Sequence, residues 1–298
     1  MLDRVLEPSF LRTLDRLRLN PEQSVTLHPG NTPVRRGSQP AGMELTNYKE
    51  YAPGDDPRHV DWNAYGRFNT LWIKRFRAER QAPLHLLIDV SASMQVPARD
   101  GKLPFAAAIA ASLSYISLRH QDPVRFVALA RGGATTLSPL YRHIGRFPEI
   151  RSFLRQLQTN GASNLADGVD AYLRTTQLPG VAVVLSDFLL APEHWQRALD
   201  GLRSRGRTVA ALRVIGPEER DPAMLPRRVR LHDVEAGSER LITLTAAHRA
   251  QYATALEAHL SSLKRWCDAR GVVFVAPETD RGIEHCLFAA LPHAGLLH

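Results

Sequence analysis

Hydroxyl and carboxylate side chains follow a short apolar run before the middle of the chain. Asp89, Ser91 and Ser93 alternate directly after Leu84–Ile88, which has the pattern of a buried strand. The alternation places three oxygen-bearing side chains on one side of the turn that leaves the strand. Oxygen ligands suit a hard cation such as Mg²⁺, which prefers octahedral geometry and retains water molecules. The spacing therefore predicts one part of a metal site.

Two later segments offer oxygen atoms to the same site. Ser163 lies just before a predicted helix, and Asp187 follows Val181–Leu185, an apolar strand typical of the centre of a parallel sheet. Ligands of open α/β sheets bind outside the carboxyl ends of the strands, so we expect Asp187 on the same edge as Asp89. A shared cation would relieve the repulsion between the two carboxylates. We predict Mg²⁺, or else Mn²⁺ or Ca²⁺, at Asp89, Ser91, Ser93, Ser163 and Asp187.

The elements that position these residues begin near residue 83. From there apolar strands alternate with longer helices, which is typical of a parallel sheet covered by helices on both faces. The predicted strands are 84–88, 124–130, 181–185, 208–215 and 272–276, and the predicted helices are 102–120, 147–158, 165–175, 192–205, 246–270 and 282–291. Two short strands within 216–245 predict a hairpin inserted in this α/β core.

The first 82 residues differ from the rest and are predicted to form an N-terminal extension. Leu2–Leu19 has apolar residues at helical spacing, which predicts a short amphipathic helix that ends at Asn20-Pro21. Proline and glycine disfavour long helices between 28 and 54, and Arg67–Arg80 alternates like an extended edge strand. The predicted division is therefore 1–82 and 83–298, with the hairpin at about 216–245.

Composition excludes several classes of protein. Apolar residues make up 44% and charged residues 23%, so the chain is not an extended disordered polymer. The two cysteines, Cys267 and Cys286, are too few for a disulfide scaffold. No apolar run approaches the roughly 20 residues that span a bilayer, and we expect a cytoplasmic protein. The net charge of +8 permits nucleic-acid binding, but the basic residues are not interleaved with aromatic ones, which makes it an unfavoured alternative.

Asp89, Ser91 and Ser93 resemble the Asp-x-Ser-x-Ser motif of von Willebrand factor A-like domains, which opens their metal-ion-dependent adhesion site. A threonine from a second loop and an aspartate from a third complete that site in the family. Ser163 stands where the threonine is expected and keeps its oxygen, and Asp187 matches the aspartate. The resemblance covers roughly residues 83–295 and implies a doubly wound, mostly parallel α/β sheet with helices on both faces.

An upstream block resembles a second signature. Glu50-Tyr51-Ala52-Pro53-Gly54-Asp55-Asp56-Pro57-Arg58, with Asp61-Trp62 after it, is similar to the bacterial domain of unknown function family 58, and so is Leu231–Glu235. This resemblance extends over nearly the whole chain. It implies an adaptor or assembly factor that works with a MoxR-type AAA+ ATPase and has no catalytic activity. Many members carry transmembrane helices near the N-terminus, and their absence from this sequence favours a cytoplasmic adaptor.

Asp55, Asp56 and Arg58 are predicted to bind a partner protein, as a loop that docks on the ATPase. The structural alternative is a hydrogen-bonded turn made by Pro53-Gly54, which would pin the N-terminal segment to the core and bury Trp62. For the five predicted metal ligands, the corresponding alternative is that they cap the backbone N–H groups of nearby helices and loops.

The predicted function is a non-enzymatic, metal-dependent protein interaction. An ion held by few carboxylates keeps an open position, which a carboxylate of a protein partner can fill. The sequence lacks the motifs of zinc proteases, of serine hydrolases and of phosphate-binding loops. Two alternatives stay open: a metal-dependent hydrolase acting on phosphoesters, and a basic protein that binds nucleic acid.

Overall fold

The computed structural model of the chain describes residues 2–5, 7–20, 43–52, 60–78, 82–130, 135–159, 165–224, 226–232 and 239–298. Contacts between residues divide the chain into two compact units. One unit holds residues 1–26 together with 82–298, and the other holds residues 27–81. The segment predicted as a single N-terminal extension, 1–82, is therefore shared between the two units.

The helices and strands have the following bounds in chain order. They are α1 (Leu2–Val5), α2 (Pro8–Leu14), β1 (Met43–Glu50), α3 (Trp62–Phe68), β2 (Trp72–Ala78), β3 (Leu84–Asp89), α4 (Lys102–Arg119), β4 (Val124–Leu129), β5 (Thr135–Leu137), α5 (Phe147–Arg155), α6 (Leu165–Thr175), β6 (Gly180–Ser186), α7 (Pro192–Arg203), β7 (Arg207–Arg213), α8 (Pro217–Arg220), β8 (Arg228–His232), β9 (Glu239–Thr243), α9 (Ala246–Arg270), β10 (Val273–Val275), α10 (Gly282–His285) and α11 (Leu291–His293). Short 3₁₀ turns lie at Ala92–Gln95 and Ala98–Asp100, and a π-helical turn joins the last two helices.

A sheet of six strands runs through the larger unit in the order β10-β7-β6-β3-β4-β5. Neighbouring strands are parallel except for β5, which pairs antiparallel with β4. The first strand of this unit, β3, therefore lies in the middle, with later strands added on either side of it. This arrangement confirms the predicted doubly wound, von Willebrand factor A-like fold, in which β5 is an edge strand that the sequence analysis missed.

Helices cover both faces of the sheet because its central strands are apolar on both sides. Leu86 and Ile88 of β3 belong to one buried cluster, which includes side chains of α4 and α5. Leu87 faces the other way, into a cluster with Val169 of α6 and Trp195 of α7. Burial of each such side chain stabilises the fold by roughly 1.5–3 kcal/mol, so the sheet forms a rigid base for its loops.

The central helix α4 is apolar around most of its circumference. By length and composition alone, Ala98–Arg119 could cross a membrane, and 78% of its most apolar 18-residue window is buried inside the protein. A helix that is apolar all round and packed on a sheet is typical of the core of an α/β protein. Its alanines, which include Ala107 and Ala110, allow close approach to the strands.

The two ends of the described chain pair with each other. Leu19 forms an antiparallel bridge with Leu297, and Arg18 and His298 exchange backbone hydrogen bonds of 2.8 and 3.0 Å. These contacts explain why the first residues belong to the larger unit. The single helix predicted over Leu2–Leu19 was wrong, because Pro8 starts a separate helix at a position where its missing N–H costs nothing.

In the smaller unit, β1 pairs antiparallel with β2. The edge strand predicted over Arg67–Arg80 was partly wrong, because α3 occupies its first residues. Asp61 starts that helix by accepting hydrogen bonds from the backbone N–H groups of Asn63 and Ala64, at 3.0 and 3.2 Å. In the larger unit, the predicted hairpin is confirmed by the antiparallel pair β8 and β9.

A buried histidine on β3 is held in its neutral form. The Nε2 of His85 lies 3.1 Å from the carbonyl oxygen of Pro179, and its Nδ1 lies 2.6 Å from the hydroxyl of Tyr172. Since a carbonyl can only accept, Nε2 carries the hydrogen, and Tyr172 donates to Nδ1. Burial, together with the charges of Arg207 and Arg125, lowers the pKa of His85 to about 4.

This shift predicts acid sensitivity. Below pH 6.5 the unfolded chain protonates His85 while the folded protein does not, so stability is lost as the pH falls toward 4. Between pH 7.5 and 4.5 we expect wild type to lose about 2–3 kcal/mol more free energy of unfolding than His85→Gln. Urea denaturation of both proteins at the two pH values measures this difference. Equal losses would show that His85 does not carry the effect.

Candidate metal centre

Four of the five predicted ligands, Asp89, Ser91, Ser93 and Asp187, lie at the point where the strand order of the sheet reverses. β3 lies between β4 on one side and β6 on the other, so the sheet extends from β3 in both directions. This leaves a crevice at the carboxyl ends of β3 and β6, where open α/β sheets bind ligands. β3 ends at Asp89 and the parallel β6 ends at Ser186. Asp187 is the next residue, so both aspartates lie at this edge of the sheet.

Hydrogen bonds orient the Asp89 carboxylate across the two strands. Its Oδ1 accepts from the backbone N–H of Ser91 at 2.9 Å, and its Oδ2 accepts from the Ser186 hydroxyl at 2.7 Å. The Ser186 oxygen also accepts from the backbone N–H of Phe188 at 2.9 Å. Ser186 thus ties the two strand ends together. Asp187 was predicted from the sequence as a ligand, whereas Ser186 was given no role.

The two serines of the first loop lie side by side. Ser91 Oγ and Ser93 Oγ are 2.9 Å apart and share a hydrogen bond. Neighbouring oxygens around an octahedral Mg²⁺, at metal–oxygen distances of about 2.0–2.1 Å, are also about 2.9 Å apart. The hydroxyl pair therefore already has the spacing of two adjacent ligands of such an ion.

A buried lysine contacts the second aspartate. Lys102, the first residue of α4, is 1% exposed, and its Nζ lies 2.9 Å from Asp187 Oδ2. The same ammonium lies 2.6 Å from Glu219 Oε2 in α8. Neither Lys102 nor Glu219 was predicted from the sequence to belong to the site. The composition could have drawn attention to Lys102. Only four of the 38 lysine and arginine residues are lysines, so any lysine is uncommon in this chain.

Glu219 is placed by a contact between two loops. The carboxylate of Asp100 accepts from the backbone N–H groups of Glu218 and Glu219, both at 3.1 Å, at the start of α8. Fully buried Arg213, at the end of β7, brings Nη2 to 3.6 Å from Glu219 Oε1. Charges therefore alternate in sign from Asp187 through Lys102 and Glu219 to Arg213.

Burial and the neighbouring carboxylate of Asp187 disfavour the ionised form of Asp89 at this edge. Burial, and next the charge of Asp187, raise the pKa of Asp89 to about 6, although hydrogen bonds from Ser186 and Ser91 oppose the shift. Burial alone would lower the pKa of Lys102, but the carboxylates of Asp187 and Glu219 outweigh it and raise that pKa. The site thus has a deficit of positive charge beside Asp89, which a bound cation would relieve.

The donor chemistry fits a hard divalent cation. Asp89, Ser91, Ser93 and Asp187 present only oxygen atoms at this edge, as Mg²⁺ and Mn²⁺ prefer. Among the residues described by the structure, no group of three or more His, Cys, Asp or Glu side chains is placed to hold a metal ion. An ion at this edge would therefore depend on the serine hydroxyls as much as on the aspartates.

Four predicted residues cannot be placed. Ser163, Asp55, Asp56 and Arg58 lie outside the described residues. The structural alternative for the Asp55–Arg58 block included a buried Trp62, and that part was wrong: Trp62 is 65% exposed on α3, where its ring contacts Tyr65 edge to face. Asp61, which follows this block in the sequence, caps α3.

Comparisons with known sequences identify the family and leave the activity open. The profile of the family described as "Protein of unknown function DUF58" matches residues 47–262. An uncharacterized protein of Mycobacterium tuberculosis is 29% identical in an alignment of length 258, which covers 82% of this chain and 76% of that protein. An uncharacterized protein of Mycobacterium avium is 32% identical over 152 residues, 51% of this chain and 84% of that protein.

Similar solved structures come from other bacteria. The conserved hypothetical protein BatB from Bacteroides thetaiotaomicron is 14% identical, with a TM-score of 0.36 over 63% of this chain and 99% of that one. An aerotolerance-related membrane protein from Bacteroides fragilis is also 14% identical, with a TM-score of 0.42 over 71% and 99%. A von Willebrand factor type A protein from Catenulispora acidiphila is 11% identical, with a TM-score of 0.36 over 66% and 38%.

Proposed function

We propose that this chain, which belongs to the DUF58 family of proteins of unknown function, is a non-enzymatic module that binds a partner protein through a divalent cation. The ion is Mg²⁺ or Mn²⁺. The hydroxyls of Ser91 and Ser93 hold it, while Asp89 and Asp187 balance its charge. Ser163 is the further proposed ligand. The bound ion supplies a Lewis-acidic position that a carboxylate of the partner can occupy.

The observation that carries this proposal is the convergence of Asp89, Ser91, Ser93 and Asp187 at the switch point of the sheet. Apolar strands fix the positions of both aspartates, and hydrogen bonds orient the carboxylate of Asp89. Such preorganisation reduces the free-energy cost of assembling a binding site. The convergence supports the proposal more strongly than the sequence motif does, because the motif lies in one loop whereas the converging side chains come from two.

The charge balance favours an anionic ligand once an ion is present. Lys102 contacts the carboxylates of Asp187 and Glu219, and Arg213 lies beside Glu219. A divalent cation bound beside Asp89 would add two positive charges to an edge where Asp187 already has a cationic partner. In a partly buried setting, this added charge attracts a carboxylate more strongly than it would in water.

The partner belongs to the same proposal. The DUF58 signature block around Asp55, Asp56 and Arg58 supports an adaptor that works with a MoxR-type AAA+ ATPase in the cytoplasm. In this arrangement the protein ligand that donates the carboxylate is the ATPase itself, which contacts the ion-bearing edge as well as the block. The two surfaces can then be tested by separate substitutions.

Binding to a purified MoxR-type ATPase, measured by biolayer interferometry with Mg²⁺ or EDTA, tests the proposal. We expect Ser91→Ala/Ser93→Ala to weaken binding at least about tenfold, as EDTA does with wild type, because each change removes ion coordination. Ser152→Ala removes an exposed hydroxyl of α5 and serves as the matched control. Binding that is equal in EDTA and Mg²⁺, and equal for both variants, would contradict ion-mediated recognition.

Two further measurements separate the alternatives. Mg²⁺-dependent turnover of phosphoester substrates that disappears in the double serine variant would favour a hydrolase. DNA binding that weakens steeply with salt and ignores the serine substitutions would favour a nucleic-acid-binding protein.

A further inference from the structure

Lys102 occupies an unusual environment for its residue type. Lysine is almost never fully buried unless its charge is paired. Here the ammonium is 1% exposed and contacts two carboxylates, Asp187 at 2.9 Å and Glu219 at 2.6 Å. A positive charge is therefore built into the edge of the sheet where the proposed ion would bind.

Hydrogen bonds fix the loop that carries this lysine to the start of α8. Asp100, two residues before Lys102, binds the first N–H groups of α8, which carries Glu219. The fit leaves no room for a side chain at Gly216, where a Cβ atom would lie 2.0 Å from the Asp100 carboxyl carbon. The loop that precedes α4 and the start of α8 are thus locked together.

We infer that Lys102 is the resident counter-cation of Asp187, which keeps the edge assembled without a divalent ion and weakens the binding of one. The physical reason is charge: an ammonium within a few ångströms of a divalent ion repels it, and it already neutralises a carboxylate that the ion would otherwise use. The statement about ion affinity rests on the proposed function. The statement about the chelated protein does not.

The first experiment measures ion affinity. Lys102→Met/Glu219→Gln removes the ammonium together with its second carboxylate, so the formal charge of the protein is unchanged. Lys264→Met, an exposed lysine of α9 that pairs with Asp268, is the matched control. In a Mn²⁺ titration followed by electron paramagnetic resonance, we expect the double variant to bind at least about tenfold more tightly than wild type and the control.

The second experiment measures the chelated protein. In EDTA we expect the melting temperature of Lys102→Met to fall at least about 5 °C below that of Lys264→Met, because Asp187 and Glu219 lose their buried partner. A second change, Asp187→Asn, should recover part of this loss. If Lys102→Met does not fold, Lys102→Met/Asp187→Asn compared with Asp187→Asn alone measures the same coupling.

The outcomes distinguish this inference from the proposed function. Equal melting temperatures of Lys102→Met and Lys264→Met in EDTA, or equal Mn²⁺ affinities of the double variant and wild type, would overturn the inference. Mn²⁺ binding by the double variant alone would support the inference and contradict an ion-dependent function of wild type. Mn²⁺ binding by neither protein would overturn the inference about affinity as well as the proposed function.

Discussion

In the Asp89→Asn variant we expect Mn²⁺ affinity to fall at least about a hundredfold while the chelated protein keeps its stability. At an effective dielectric of about 20, one charge about 4 Å from a divalent ion is worth several kcal/mol, and about 1.4 kcal/mol corresponds to tenfold in affinity. The loss of affinity follows because the amide has the shape of the carboxylate without its charge.

The chelated Asp89→Asn protein should keep its stability, because the charge of Asp89 destabilises the folded state when no ion is bound. Burial and the charge of Asp187 raise the pKa of Asp89 to about 6, so above that pH the folded protein holds an unfavourable carboxylate. This group adds stability only as the pH falls from about 6 toward its unfolded value near 3.8. At pH 7.5 in EDTA, removal of this charge should offset the loss of the hydrogen bond from the Ser186 hydroxyl to Oδ2, so we expect the amide variant to stay close to wild type in melting temperature.

The control for this variant is Asp200→Asn, which changes an exposed aspartate of α7 that contacts Arg203. It should leave Mn²⁺ affinity and melting temperature close to wild type. If Asp89→Asn binds Mn²⁺ as tightly as Asp200→Asn does, the carboxylate of Asp89 has no part in ion binding. If Asp89→Asn unfolds in EDTA, the residue has the structural capping role instead.

Gly180→Ala is expected to lower the free energy of unfolding by at least about 4 kcal/mol. Gly180 starts β6 with φ of +130°, a conformation that only glycine adopts without strain. A Cβ atom there would lie 2.1 Å from the carbonyl oxygen of Pro83. That carbonyl accepts from the backbone N–H of Val181 at 3.0 Å, so relief of the clash would separate β6 from β3, the two strands that carry the aspartates.

Gly206→Ala gives the cost of a left-handed φ at a position without a clash. Gly206 also has a positive φ, +68°, but a Cβ atom there would meet nothing within 4 Å. We expect this variant to lose only about 1 kcal/mol. Chemical denaturation of both variants compares the two costs directly. Similar losses would show that the approach of Pro83 to Gly180 does not limit the pairing of β3 with β6.

The local parts of the fold could be predicted from the sequence. Most of the predicted strands and helices of the α/β core lie within a few residues of the observed ones, and Ala246–Arg270 has the predicted bounds. Apolar residues recur every second position in strands and about every 3.6 positions in helices. Both patterns depend only on residues close in sequence, so strands and helices can be predicted from them. The failures involve long-range pairing: β5 is a three-residue edge strand, and β1 is a strand because β2 pairs with it.

The candidate site divides in the same way. The ends of apolar strands mark Asp89 and Asp187, and the chemistry of the adjacent side chains marks Ser91 and Ser93. Ser186 could not be assigned, because its bond to Asp89 depends on the register of β3 with β6. The exposure of Trp62 could not be predicted from the sequence either, because an aromatic side chain is buried or exposed according to which other residues pack on it.

By itself, the sequence determined which strands end in oxygen-bearing side chains, because side-chain chemistry and apolar periodicity are local properties. Only the tertiary structure decided that a lysine neutralises Asp187. Along the sequence, Lys102 lies 85 residues before Asp187, and four of the six strands of the sheet come between Lys102 and Glu219. Strand order and the lock between Asp100 and α8 bring these charges together, and neither is encoded in any single segment.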